Sequence, residues 1–258
     1  MEIQWLGTAG FRIQTRDACF LIDPYLSRNP DARPKQLLVP KDLAPASHIF
    51  ISHGHFDHIM DIPAIARQTG ARVVCSPTAA HTLSDMGLDP AQIDTVDYEG
   101  FEMEFGSVKA KAFYSRHIRF DLRLLASTLR KIGRGLPRII PLFLNFPCGQ
   151  VLSWQIGLEN RRIHFFGSGG STVKELEDLS KDPPDILLVP LQGHSDICAR
   201  AVEYVRILKP ALVIPQHQDD FFPPVSQRVD ISPFVDQVQQ SCPATQVRVM
   251  EVNERVSF

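Results

Sequence analysis

No two cysteines in this sequence form a recognisable pair. Cys19, Cys75, Cys148, Cys198 and Cys242 are scattered through 258 residues without a C-x-x-C motif. An odd number at such spacing excludes a disulfide framework and points to a reducing compartment. No apolar run approaches the ~20 residues of a membrane span. The opening Met1-Glu2-Ile3-Gln4-Trp5 has neither the basic stretch nor the continuous apolar stretch of a secretory leader, so a soluble, cytoplasmic protein is expected. Charge of one sign is also missing. The 27 Lys and Arg against 29 Asp and Glu leave a net charge of −2, and no basic stripe interleaves with aromatics. Nucleic acid is therefore not the expected partner, and a small-molecule substrate is. Internal repeats and low-complexity segments are absent too.

What is present is enough apolar material, 44% of the chain, for one large core, and residues 1–258 read as a single domain. Strand-like segments come first, at 2–6, 11–16 and 19–23, as a meander. The order then becomes mixed: a strand at 71–75, a helix near 78–86, strands at 93–98, 101–105 and 108–114, and strands at 150–158 and 161–166 joined by the turn Glu159-Asn160. The second half adds a strand at 185–189, a helix from Asp196 to Leu208 with Ser195 as its cap and Pro210 beyond its end, and a strand at 211–215. A helix near 232–241 and terminal strands at 246–250 and 255–258 follow. This is an α/β pattern, and element order alone allows several arrangements of it.

The most specific feature is His53-Gly54-His55-Phe56-Asp57-His58, four candidate metal ligands in six residues, directly after the apolar run Ile49-Phe50-Ile51. If that run is a buried strand, His53 and His55 leave its end on the same side and can share one ion. Asp57 and His58 follow in the turn, and a helix starts near Asp61 and Pro63 and closes at Gly70. Imidazole and carboxylate ligands with no thiolate among them suit Zn2+ first, with Mn2+ or Fe2+ as substitutes.

On these residues the chain resembles the metallo-β-lactamase superfamily of binuclear hydrolases. Trp5-Leu6-Gly7-Thr8-Ala9-Gly10-Phe11-Arg12-Ile13 and Leu21-Ile22-Asp23-Pro24 are similar to the first hairpin of the branch that includes ascorbate-6-phosphate lactonase and the phospholipase D acting on N-acyl-phosphatidylethanolamine. The resemblance implies a four-layer αββα sandwich, two mixed sheets packed face to face with helices outside. It also implies that His117, after Phe113-Tyr114-Ser115-Arg116, joins His53 and His55 on a first ion. His217, after Val213-Ile214-Pro215-Gln216, would join Asp57 and His58 on a second. Asp23 would orient a ligand histidine. The family's bridging aspartate falls at Ser168, in Phe166-Gly167-Ser168-Gly169-Gly170, a departure that leaves one or two ions open.

The implied activity is metal-dependent hydrolysis of an ester, lactone or phosphodiester in a small phosphorylated or lipid-like substrate, by a hydroxide formed on the metal. Asp57 and His194 would be the catalytic side chains, with the leaving group protonated by solvent or by His194, which otherwise reads as an ordinary polar loop residue. The alternative is a non-catalytic metal-binding or sensor protein, which Ser168 favours. Thr172-Val173-Lys174-Glu175 forms a capping box, so the glycines before it either present a helix N-terminus to a phosphate or carboxylate or simply make a tight turn. His48, His81 and His164 read as structural or solvated.

Residues 119–147 read as an insertion. Leu122, Leu125, Leu129 and Ile132 recur at helical spacing between Arg123, Arg130, Lys131 and Arg134, and an apolar loop, Leu136 to Leu144, follows. The segment 121–144 is expected to act as a lid, to touch an anionic membrane surface, or to pack in the fold or in an oligomer.

Overall fold

The computed structural model describes residues 1–133 and 136–258, so Arg134 lies outside it. Two seven-stranded sheets carry the fold, and both follow the same plan. In the first, β1 (Glu2–Gly7), β2 (Gly10–Gln14) and β3 (Cys19–Ile22) form an antiparallel meander. β4 (His48–Phe50), β5 (Arg72–Cys75) and β6 (Ile93–Thr95) then add in parallel. In the second, β7 (Glu102–Phe105), β8 (Val108–Ser115), β9 (Val151–Leu158) and β10 (Arg161–Phe166) are antiparallel. β11 (Ile186–Pro190), β12 (Leu212–Gln216) and β13 (Gln246–Val247) follow in parallel. The last strand, β14 (Arg255–Ser257), returns to pair with β1.

Parallel neighbours need crossovers, and helices supply them. The short α1 (Phe56–Ile59) and α2 (Ile62–Thr69) lead from β4 to β5, and α3 (Pro77–Asp85) leads on to β6. α4 (Leu122–Ile132) and α5 (Leu136–Asn145) lie between β8 and β9, and α6 (Val173–Lys181), α7 (Ile197–Leu208) and α8 (Ser232–Ser241) serve the second sheet.

Phe11, Phe20, Phe50, Trp154 and Phe165 fill the space between the sheets. Phe11 meets Phe165 edge-to-face at 6.3 Å and Phe50 meets Trp154 at 4.8 Å. Outside the first sheet, Ile62 and Ile65 of α2 and Leu83 of α3 close a second core; outside the other sheet, Leu179, Val205 and Phe234 close a third. Three cores between four layers give the αββα sandwich. Strands covered on both faces can be apolar throughout, as Ile186–Pro190 is.

Several local expectations are corrected. Leu136–Asn145 is a helix, although Pro137 and Pro141 suggested a loop. Pro137 sits in the first turn, where its missing N–H needs no partner, and Pro141 costs one hydrogen bond. Ser195 does not cap α7; Asp196 holds the N-cap position without a side-chain bond, and the Ser195 N–H donates to Asp121 Oδ2 at 2.7 Å. The strands at 93–95 and 246–247 are shorter than expected. Among the described residues no helix is long and apolar enough to cross a membrane.

Candidate metal centre

The β4 strand delivers the motif to one edge of the sandwich. Ser52 and His53 follow it, both buried, and α1 turns Asp57 and His58 back towards them. Gly54 is required here. Its N–H donates to the Cys148 carbonyl at 2.9 Å, and a Cβ would stand 2.2 Å from the Pro147 oxygen. His117 enters from the end of β8 and His217 from the end of β12, so both sheets contribute. Two donor sets result. His53, His55 and His117 form one and Asp57, His58 and His217 the other, and within each the donor atoms lie within 4.8 Å of one another. All six residues expected to ligate metal are thus brought together.

A single carboxylate orients two of the rings. Asp23 Oδ1 accepts from the Ser52 N–H at 2.7 Å, and Oδ2 accepts from His58 Nδ1 at 2.7 Å and from the Ser52 hydroxyl. With its proton committed to Asp23, Ser52 Oγ accepts from His53 Nδ1 at 2.9 Å. Both histidines therefore keep Nε2 free for a cation. His117 Nδ1 donates to the Ile118 carbonyl at 2.7 Å, with the same effect. His53 Nε2 lies 3.1 Å from His55 Nδ1, close to the ~3.3 Å edge of a tetrahedron with Zn–N bonds of ~2.0–2.1 Å. The donor chemistry fits zinc, manganese or iron.

Electrostatics divides the sets. Burial, then the neighbouring rings, pushes His53 well below the ordinary imidazole value, and burial takes His55 down to about 4 and also lowers His117. These three rings are held neutral, as ligands must be. Burial also disfavours charge on His58, but Asp23 and Asp57 outweigh it and raise its pKa. Burial alone would raise Asp57; His58 and a hydrogen bond from His217 overcome it and hold the carboxyl well below its usual range.

Ser168 stands beside the centre, buried, and its Oγ accepts from the Ile118 N–H at 3.0 Å. Gly167 permits this close approach of the two sheets, since a Cβ there would lie 2.1 Å from Ser52 Oγ. The adjacent helix end carries its own acidic cap. Thr172 and Glu175 satisfy each other's N–H groups at 3.0 and 3.1 Å, and the Glu175 carboxyl is buried against Ser115 and Ser153, with burial raising its pKa to about 7.

One bracing group has no signal in the local sequence. His217 has a left-handed φ of 63°, and its N–H donates to the Thr8 carbonyl at 2.8 Å. The Thr8 N–H in turn donates to Asp219 at 3.0 Å, while Arg28 bonds Thr8 Oγ1 at 3.0 Å and pairs with Asp219 in a buried contact. These three residues, far apart in the chain, fix where His217 leaves β12.

His194 belongs to neither donor set. It lines the cavity of about 810 Å³ that opens over all six ligand candidates. Its Nδ1 accepts from the Asp196 N–H at 3.0 Å and stands 3.5 Å from Asp121 Oδ2. Of the histidines read as structural, His48 stacks on Phe105, His81 is exposed beside Asp85, and His164 is buried between Phe113 and Phe166.

The family model described as "Beta-lactamase superfamily domain" matches residues 2–217. A UPF0173 metal-dependent hydrolase of Brucella ovis is 41% identical over 109 residues, 41% of this chain, and the chain spans 45% of that relative's length. Among solved structures, Igni18, a metallo hydrolase from Ignicoccus hospitalis, superposes with a TM-score of 0.72 at 20% identity, covering 100% of this chain and 97% of that one. The metallo-beta-lactamase fold protein YhfI from Bacillus subtilis gives 0.66 at 11% identity, covering 99% and 98%. These structural likenesses concern the fold.

Proposed function

The chain belongs to the beta-lactamase superfamily, and from that premise we propose that it is a metal-dependent hydrolase of a small molecule carrying an ester, lactone or phosphodiester, with zinc as the first candidate metal and manganese or iron as substitutes. The observation that carries this reading is the pair of donor sets at the floor of a drug-sized cavity. The curated relatives described as metal-dependent hydrolases support it. His53, His55 and His117 would hold one ion, and Asp57, His58 and His217 a second. A bound ion of this kind brings water towards ionisation near neutral pH and polarises the oxygen of the scissile group.

The protein's own side chains do the rest. Asp57 stays ionised, with Oδ2 3.3 Å from His217 Nε2 and 3.7 Å from His58 Nε2, and that carboxylate accepts a hydrogen bond from the attacking water. Asp23 and Ser52 hold the rings in their ligating tautomers. His194, whose Nδ1 accepts from Asp196, carries its proton on Nε2 and donates it to the leaving oxygen. The five thiols are free, in keeping with a reducing, cytoplasmic setting.

A sensor without catalysis is the second reading, favoured by Ser168 where a bridging carboxylate would stand. Assaying the metal-loaded chain on a panel of lactones, esters and phosphodiesters, with His55→Ala as control, separates the two. Turnover that disappears in His55→Ala is expected; ion binding without turnover of any substrate in the panel would favour the sensor.

A further inference from the structure

Beyond the donor sets, the cavity is walled mainly by apolar side chains. Three of the ligand histidines are each flanked by a phenylalanine ring: His55 by Phe143 at 6.4 Å, His117 by Phe120 at 5.9 Å and His217 by Phe221 at 5.0 Å. Away from this collar the cavity runs along α4 and α5, where Leu125, Leu129 and Ile140 line it. Phe120, Leu125, Leu129, Ile140 and Phe143 are all 44–54% exposed, a large apolar area for side chains that face a binding cavity. The opposite wall is the segment 225–230, and Lys131 near the end of α4 bonds Gln227 across the gap. The arm of α4 and α5 is therefore the roof of the cavity, and the space beneath it is continuous with the donor sets.

The same surroundings are poor for a compact phosphate. Charged side chains on the walls carry both signs, Arg123, Lys131 and Arg228 against Asp196 and Asp230. Lys131 is engaged by Gln227, and at the nearby start of α6 the Thr172 and Glu175 N–H groups are already taken by each other's side chains. The volume, about 810 Å³, suits a molecule of drug size and excludes a macromolecular segment as the main occupant.

We propose that the substrate is an amphiphile: a carboxylic ester, open or cyclic, whose reacting group sits inside the phenylalanine collar and whose aliphatic body lies under α4 and α5 against Leu125, Leu129 and Ile140. The reaction is ester plus water to carboxylate, alcohol and one proton. A new C–O bond forms from the water oxygen, the acyl–alkoxy bond breaks, and the alkoxy oxygen takes a proton. The inference rests on the hydrolase reading for the chemistry at the collar, while the apolar subsite can be tested without it.

The metal-loaded full chain is assayed on p-nitrophenyl acetate, hexanoate and decanoate. Sodium acetate, sodium decanoate and inorganic phosphate are titrated calorimetrically into both the full chain and His55→Ala. Burial of one face of the chain predicts that kcat/KM roughly doubles per methylene, about half the free-energy effect of full burial, or on the order of a hundredfold from acetate to decanoate. Decanoate should bind on the order of a hundredfold more tightly than acetate or phosphate. Leu129→Ser and Ile140→Ser should lower both the decanoate-to-acetate rate ratio and decanoate affinity. If decanoate binds with this preference while no ester is cleaved, the subsite stands and the hydrolase reading falls. If esters are cleaved at rates independent of chain length and decanoate does not bind, the reverse holds. Phosphate binding as tightly as decanoate would overturn the proposal. So would retention on phosphatidylcholine–phosphatidylglycerol vesicles with no decanoate titration, which would make the arm a membrane contact.

Discussion

The two donor sets sit side by side, yet they are built to different standards. His53, His55 and His117 are neutral rings in a buried setting, and two of them have their second nitrogen fixed, His53 by Ser52 and His117 by its own chain at Ile118. The other set contains one ring held firmly by Asp23 and one, His217, whose Nδ1 is buried with no partner among the described residues. His217 is placed through its backbone, which is held in a left-handed conformation by Thr8, Asp219 and Arg28. Ser168 adds no charge where a shared carboxylate would draw two dications together. Orientation of rings and compensation of charge both decide metal affinity. The first set has the better-held rings; the second has the one carboxylate, Asp57, and lacks the shared one that would let two dications sit side by side.

The largest test of this asymmetry removes a ligand from the stronger set. His53→Ala or His117→Ala should abolish measurable hydrolysis and strip the tighter ion, a loss beyond the ~10–100-fold typical of orienting groups. His164→Ala should retain its metal. Equal ion retention in all three, by elemental analysis after dialysis, would remove the assignment.

Asp23→Asn should come next, because it touches both sets at once, His58 directly and His53 through Ser52. Metal affinity should fall by about 10–100-fold at both sites. A fall confined to one site would show that the Ser52 relay does not carry orientation. Asp219→Asn should act on the second set alone. The ion count should drop towards one while the first ion stays, and thermal unfolding should begin earlier because Arg28 loses its buried partner.

Acid should separate the sets further. A ligand imidazole must be neutral, so each set loses its ion as pH falls through the pKa of its rings. That pKa is raised above 6.5 for His58 and lowered to about 4 for His55. The second ion should therefore leave first, weakening roughly tenfold per pH unit as the pH falls below the raised pKa of His58, while the first is kept until the pH nears 4. Isothermal titration with Zn2+ at stepped pH reads this directly. Simultaneous loss of both ions would break the comparison.

The candidate ligands were legible because His53, His117 and His217 each lie one to three residues past a strand, and His55, Asp57 and His58 follow His53 in one short motif with its own spacing. Thr8, Arg28 and Asp219 were not legible. Their contact joins segments about 20 and 190 residues apart in sequence, and a buried ion pair leaves no periodicity behind. The fold was legible as strands and helices, but its layering came from family likeness, since the same order of elements permits other packings. The arm was half read. The spacing of Leu122, Leu125, Leu129 and Ile132 marked α4, whereas two prolines in an apolar run hid α5, where Pro137 is harmless by position.

The smallest expected effect, and the one that bears most closely on the asymmetry, concerns Ser168. Its hydroxyl accepts from the Ile118 N–H, so it ties the loop carrying His117 to the end of β10. An aspartate at this position could keep that acceptor with one carboxylate oxygen and turn the other towards the donor sets, adding negative charge between two cations and offsetting their repulsion. Protein purified without added metal should then carry close to one ion per chain, on His53, His55 and His117, and Ser168→Asp should raise this towards two without altering the first. Elemental analysis after exhaustive dialysis reads both values. Two tightly held ions in the unmodified chain, unchanged by the substitution, would mean that Asp57, His58 and His217 suffice alone and that the two sets are equals.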